Sequence, residues 1–224
     1  MVEKMENQLI ADRISKTFNG KTVVYPTSLK IQNGSIHVIE GKSGSGKSTL
    51  LSMLGGMEKP DKGEVRFKGS SLYRLNDIEQ SNIRGTSFGY VFQSFHLIPE
   101  LTVKENIELP LQFNPRGVKK HRVDEIADAL GISSQLEKRP DFLSGGEQQR
   151  VAIARAVITN PDILFADEPT GNLDQATSKT VVELLTTLVE SMNISLVVVT
   201  HEQNLFSHPH HLYQMENGRL REVD

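Results

Sequence analysis

Short runs of mostly apolar residues punctuate the chain at Ile36–Glu40, Phe88–Phe92, Ile163–Asp167 and Ile194–Val199. Runs this short, with no polar alternation, predict strands buried on both faces. The segments 8–14 and 22–31 are also strand-like, and Asn19-Gly20 between them is a hairpin turn signal. Asn33-Gly34 marks a second turn, and Val65–Phe67 reads as a further short strand. Asp77–Arg84 reads as a short helix. Helical periodicity appears over His121–Leu130, where Val123, Ile126, Ala127 and Leu130 share one face, and over Ala176–Met192, where Val181, Leu184, Leu185 and Leu188 do. Asn217-Gly218 separates two strand-like runs and predicts a C-terminal hairpin.

Strands alternating with helices predict an α/β fold built on a mostly parallel sheet. Between about 94 and 155 the texture turns helical, so a helical subdomain is expected inside the core. The expected organisation is one domain, 1–224, with an α/β core from 1–93 and 156–224 and an inserted subdomain at 94–155.

Composition narrows the function classes. The chain has 224 residues, 37% hydrophobic and 24% charged, enough for a substantial core. A formal net charge of −3 gives no basic excess, so nucleic acid is not an expected partner. There are no cysteines, hence no disulfide framework and no Cys-based metal site. The first eight residues are polar and lack the apolar core of a signal peptide. No stretch approaches 18 apolar residues, so any membrane role is expected to come through a partner.

The chemistry concentrates at strand ends. Gly41-Lys-Ser-Gly-Ser-Gly-Lys-Ser-Thr49 follows one apolar run and opens a helix expected from Thr49 to Leu54. Strand, glycine loop and helix together form the setting of a nucleotide phosphate cradle, which a flexible Gly/Ser linker would not require. Gly41, Gly44 and Gly46 let backbone N–H groups approach phosphate oxygens, with Ser43, Ser45 and Thr49 in the same loop. Lys47 can reach the β- and γ-phosphates, and the Ser48 hydroxyl can ligate Mg²⁺. Ile163–Asp167 ends in Asp167-Glu168, which places carboxylates where ligands of α/β sheets bind. Asp167 can orient Mg²⁺, and Glu168 can serve as general base on a water. Gln93 and His201 also follow strands. The first can contact metal or water, the second a γ-phosphate. His208, His210 and His211 lack the neighbours of a metal site.

One motif has no use within a single copy of the chain: Leu143-Ser-Gly-Gly-Glu-Gln-Gln-Arg150, at the start of a helix expected over Gly145–Ile158. With it in place, the chain resembles the ATPase subunit of ABC transporters over essentially its whole length. Gly41–Thr49 matches the Walker A motif, Gln93 the Q-loop, Leu143–Arg150 the signature, Ile163–Glu168 the Walker B motif, Gly171–Asp174 the D-loop and His201 the switch histidine. Phe18 stands where the family stacks an aromatic ring on adenine, with Tyr25 as the other candidate. The resemblance implies a P-loop NTPase (RecA-like) core with an N-terminal antiparallel β subdomain, and ATP with Mg²⁺ as cofactors. It also implies a head-to-tail homodimer in which Ser144, Gly145 and Gly146 of one copy close on ATP held by the other.

Within the family, Val91–Thr102 and Asp167–Asp174 look like the lipoprotein-releasing, macrolide-exporting and cell-division group. That likeness implies an integral membrane permease with a large extracytoplasmic domain as partner, and residence at the cytoplasmic face of the inner membrane. Lipoprotein release or a related envelope function is the leading expectation. A channel-type importer ATPase is the nearest alternative and a non-transport ABC ATPase a more distant one. Phe95, Leu97, Ile98 and Leu101, just after Gln93, are either subdomain core or part of a groove for a helix of the membrane partner.

Overall fold

The computed structural model describes residues 7–113 and 122–223. The first strands, β1 (Asn7–Phe18) and β2 (Lys21–Gln32), form the expected hairpin and run longer than their apolar patterns. Asn19 and Gly20 both take positive φ, 50° and 78°, as the tight hairpin turn between twisted strands demands. After β3 (Ile36–Glu40) and α1 (Lys47–Leu54), β4 (Lys62–Phe67) joins the other edge of β1, and β5 (Ser70–Ser71) follows it. The result is an antiparallel four-stranded sheet in the order β2-β1-β4-β5.

The larger sheet adds β6 (Phe88–Phe92), β7 (Ile163–Asp167), β8 (Ser195–Thr200), β9 (His211–Glu216) and β10 (Arg219–Val223). Its order is β10-β9-β3-β8-β7-β6, parallel from β9 through β6, with β10 antiparallel at the edge as the C-terminal hairpin. The continuous apolar runs have a direct cause: this sheet is the middle layer of three. Along β8, Leu196 and Val198 enter one core and Val197 and Val199 the other. Along β7, Leu164 and Ala166 oppose Ile163 and Phe165 in the same way. One core lies under the antiparallel sheet and α1. The other is filled by α3 (Val103–Glu108), α4 (Arg122–Ala129), α5 (Gly145–Val157) and α6 (Gln175–Met192).

The expected helix at 77 is α2 (Asp77–Thr86), begun by a reciprocal cap between Asn76 and Glu79. The amphipathic helix begins at Arg122 among the described residues, and the expected start at His121 lies outside them. Helix α1 starts two residues before its apolar pattern, because Lys47 and Ser48 form its first turn. Helix α3 was not expected. It is six residues long and is set by a cap in which Thr102 and Glu105 satisfy one another's backbone N–H groups.

Candidate functional site

Strand β3 delivers the glycine loop to the C-terminal edge of the large sheet, where the Gly41 N–H donates to Thr200 O at 3.1 Å. Two loop glycines answer to crowding. A Cβ on Gly41 would lie 2.3 Å from Met215 O, and one on Gly46 would lie 2.6 Å from Val23 O. Gly44 has open space but a φ of +75°, a conformation glycine adopts without steric cost. Gly46 caps α1 with no side-chain hydrogen bond, and no acidic residue sits in the first turn. Among the described residues the N–H groups there meet no side-chain acceptor, and the helix dipole adds positive potential.

Lys47 is buried. Its ammonium donates to Gly41 O at 2.7 Å and Lys42 O at 3.2 Å and lies 3.3 Å from Glu168 Oε1. Ser48, exposed beside it, donates its hydroxyl to Asp167 Oδ1 at 3.0 Å. Burial raises the Asp167 carboxyl above its ordinary value, and the Glu168 charge pushes the same way. The Ser48 hydrogen bond and Lys47 oppose them. A divalent cation would relieve this penalty, and the Ser48 and Asp167 oxygens are the hard donors that Mg²⁺ prefers.

Glu168 sits at φ 47°, a left-handed conformation that costs a non-glycine residue about 1 kcal/mol or more. Its surroundings hold it there. The Glu168 N–H donates to Val199 O at 2.9 Å, and its Oε2 accepts from the His201 N–H at 3.0 Å. His201 Nδ1 lies 2.7 Å from the same oxygen. An ionised carboxylate only accepts, so the ring carries its proton on Nδ1 and, when neutral, leaves Nε2 as acceptor.

Lys47, Ser48, Asp167, Glu168 and His201 thus converge. Gln93 is exposed and takes a different partner, its amide 3.5 Å from Asn172 Oδ1, while Asn172 donates to Gln93 O at 2.9 Å. The Gln93 amide also packs on Gly171, where a Cβ would approach its Nε2 to 2.9 Å. Ser144 caps α5. Its hydroxyl donates to Glu147 Oε2 at 2.8 Å and accepts from the Glu147 N–H at 3.3 Å. The Ser144 N–H donates to that carboxylate at 2.7 Å, and this bond is the main cause of its lowered pKa. Gly146 has no room for a side chain, since a Cβ would meet Thr177 Cγ2 at 2.6 Å. Among the described residues no hydrogen bond joins Ser144, Gly145 or Gly146 to the glycine loop.

Both aromatic candidates already carry a cation on one face. Lys16 lies 5.3 Å from the centroid of the exposed Phe18 ring, and the Arg219 guanidinium lies 4.1 Å from that of the half-buried Tyr25. Sequence reasoning did not single out Asn172, Thr200 or Met215 as neighbours of these groups. Asn172 falls within a recognised motif. The contacts of Thr200 and Met215 are main-chain contacts between distant segments and leave no local signal.

A family model described as ABC transporter matches residues 24–171. The lipoprotein-releasing system ATP-binding protein LolD of Aquifex aeolicus is 41% identical over 96% of this chain and 97% of its own length. The ABC transporter ATP-binding protein YtrE of Bacillus subtilis is also 41% identical, over 91% of this chain and 89% of its own. Among solved structures, the ABC transporter cassette MJ0796 superimposes with a TM-score of 0.86 at 37% identity, covering 96% of this chain and 99% of that one. It has been seen as a dimer and, in a post-hydrolysis state, bound to ADP and Pi. The glycine loop, the carboxylate pair and these likenesses agree, and the chain belongs to the ABC transporter family as an ATP-binding ATPase subunit.

Proposed function

We propose that two copies of this chain pack head to tail around two ATP molecules and drive a membrane permease. The observation that carries the reading is a division of labour. Lys47, Ser48, Asp167, Glu168 and His201 are assembled in one place, while Ser144 is exposed, at a helix N-terminus, and among the described residues bonded only within its own helix and cap. An anion held by the loop of one copy would meet Ser144, Gly145 and Gly146 of the other. The dimeric MJ0796 cassette supports this arrangement.

In this reading Gly41–Thr49 wraps the phosphates and Lys47 exchanges the loop carbonyls for phosphate oxygens. Glu168 takes a proton from water as the water oxygen attacks the γ-phosphorus and the bond to the β-phosphate oxygen breaks. His201 holds Glu168 in place. Ser48 and Asp167 would hold Mg²⁺, with Gln93 reaching it from the adjacent strand end; the ion would supply charge neutralisation on the phosphates. Phe18 is the adenine platform, because Tyr25 is half-buried under Arg219.

No helix among the described residues is long and apolar enough to cross a membrane, so anchoring at the cytoplasmic face of the inner membrane falls to the permease. The segment 94–155 is read as the arm that carries Ser144. Lipoprotein release is the cargo reading, supported by the full-length likeness to the lipoprotein-releasing ATPase. Sedimentation of Glu168→Gln with and without MgATP tests the dimer; a monomer at saturating nucleotide would overturn it. Co-purification with a permease whose complex extracts lipoproteins from vesicles tests the cargo. A complex that moves only small solutes would overturn that part alone.

A further inference from the structure

Main-chain atoms from three distant segments meet behind the glycine loop. The Gly218 N–H, in the turn between β9 and β10, donates to Ser45 O at 2.9 Å, and Gly218 O accepts from the Tyr25 N–H at 2.8 Å. One buried residue thereby ties β2 to the loop. Arg219, stacked on the Tyr25 ring, holds the hairpin to the same strand. There is no slack at the junction: a Cβ on Gly218 would lie 2.5 Å from Val23 O and 3.1 Å from Tyr25 Cδ2.

A positive φ alone does not explain this contact. Gly20 and Gly69 have almost the same φ, +78° and +81°, and a Cβ on either would meet nothing within 4 Å. Gly218, at +78°, combines that conformation with a close approach to the chain. The consequence follows from peptide planarity. A peptide's C=O and the next residue's N–H point in opposite directions and cannot turn independently. Fixing Ser45 O toward Gly218 therefore fixes the Gly46 N–H on the opposite side of that peptide.

We propose that Gly218 is a positioning residue for the phosphate cradle, setting the orientation of the Ser45–Gly46 peptide and with it the affinity for the nucleotide's phosphates. This rests on the reading of Gly41–Thr49 as that cradle. Gly218→Ala and Gly69→Ala incur similar backbone strain, but only the first intrudes on the junction. Titration of each with MgATP should show about tenfold or greater weakening for Gly218→Ala and little change for Gly69→Ala. The turnover of Gly218→Ala at saturating ATP should stay near wild type, because Glu168 and His201 are untouched. A merely destabilised variant would instead lose active protein and turnover with KM unchanged.

Hydrogen exchange on the unmutated chain gives a second readout if Gly218→Ala fails to fold. MgATP should slow exchange of the Gly218 amide about tenfold or more, although that amide does not face nucleotide, because an ordered loop opens less often. Equal affinity in both alanine variants, or an unchanged Gly218 amide, would overturn the proposal. Lys47→Ala separates the two layers. If it too binds ATP normally, the cradle reading fails; if only Gly218→Ala does, the positioning role fails.

Discussion

The Lys47 ammonium lies 3.3 Å from Glu168 Oε1, so without nucleotide the cation read as the phosphate contact is paired with the carboxylate read as the base. Both groups are largely buried, and the pair keeps each from being an isolated charge in a low dielectric. In the proposed reading, arriving phosphates would displace this contact and the two loop carbonyls, and the same cation would serve both the resting fold and the bound nucleotide.

Glu168→Gln keeps the shape and the His201 neighbourhood but removes the proton acceptor. Turnover should fall by about 10²–10⁴-fold, the usual cost of losing a general base. ATP affinity should hold or improve, because Lys47 no longer has a carboxylate to leave. Phosphate release at the wild-type rate would refute the role of Glu168.

Lys47→Ala removes a charge that, in the proposed site, would face the phosphates in the ground state and the transition state alike, so ATP binding itself should weaken. It also strands Glu168 beside an uncompensated site, and the nucleotide-free melting temperature should shift. A nucleotide titration alongside a melting curve checks both. An unchanged dissociation constant would mean the phosphates bind elsewhere.

The Asp167 carboxyl gives a pH signature. Its folded pKa is raised by burial above the ordinary value of 3.8, so the folded state holds its proton more tightly than the unfolded chain. The associated stability is fully present below 3.8 and is lost as pH rises through the folded value. Asp167→Asn abolishes this dependence. In Mg²⁺-free buffer the variant should melt increasingly above wild type as pH rises from 3.8 through the raised folded value, and the gap should then hold constant. Parallel pH dependence of melting in the two proteins would contradict the burial argument.

How much of this was legible in the sequence depends on where each signal is stored. Strands β7 and β8 were visible because both faces are buried, which forces unbroken apolar runs. Helix α3 was not, because only Val103, Asn106 and Ile107 are buried and the element is set by the Thr102 cap. Asn106 is fully buried, and its side chain bonds to Ile98 and to Leu101 O, a polar use of a core position that hydrophobic periodicity cannot register. Glycine spacing announced the loop. The contact of the C-terminal turn with that loop is a backbone meeting of residues more than 170 positions apart, and nothing local encodes it.

Ser144 should matter in trans. Ser144→Arg forfeits the α5 cap, worth about 1 kcal/mol, so a drop of a few degrees in melting temperature is expected. Its own glycine loop is untouched. Mixed with Lys47→Ala, it can form one composite site carrying both lesions and one carrying neither, and ATPase activity should return in part. Normal hydrolysis by Ser144→Arg alone would rule out a shared site.

Of the four apolar residues that follow Gln93, Leu97 alone packs against the large core, so Phe95, Ile98 and Leu101 are the ones left for the expected docking surface. All four are half-buried. The backbone beneath them is fixed independently of these side chains. Asn106 accepts from the Ile98 N–H at 2.8 Å and donates to Ile98 O at 3.0 Å, and Arg155 of α5 donates to Phe95 O at 2.7 Å. A side-chain change at 98 or 101 should therefore leave the loop standing, whereas Leu97→Asp should lower the melting temperature. Ile98→Asp and Leu101→Asp should weaken capture by the permease while sparing the melt and ATP affinity, because an apolar groove for a short helix cannot bury an unpaired carboxylate. Arg155 adds a mechanical consequence. It joins the segment to α5, the helix capped by Ser144, so closing the proposed dimer on ATP would move the expected docking segment with it. Co-purification of each variant with the permease, beside its melting curve, decides the matter. Full capture by both Ile98→Asp and Leu101→Asp would place the docking surface elsewhere.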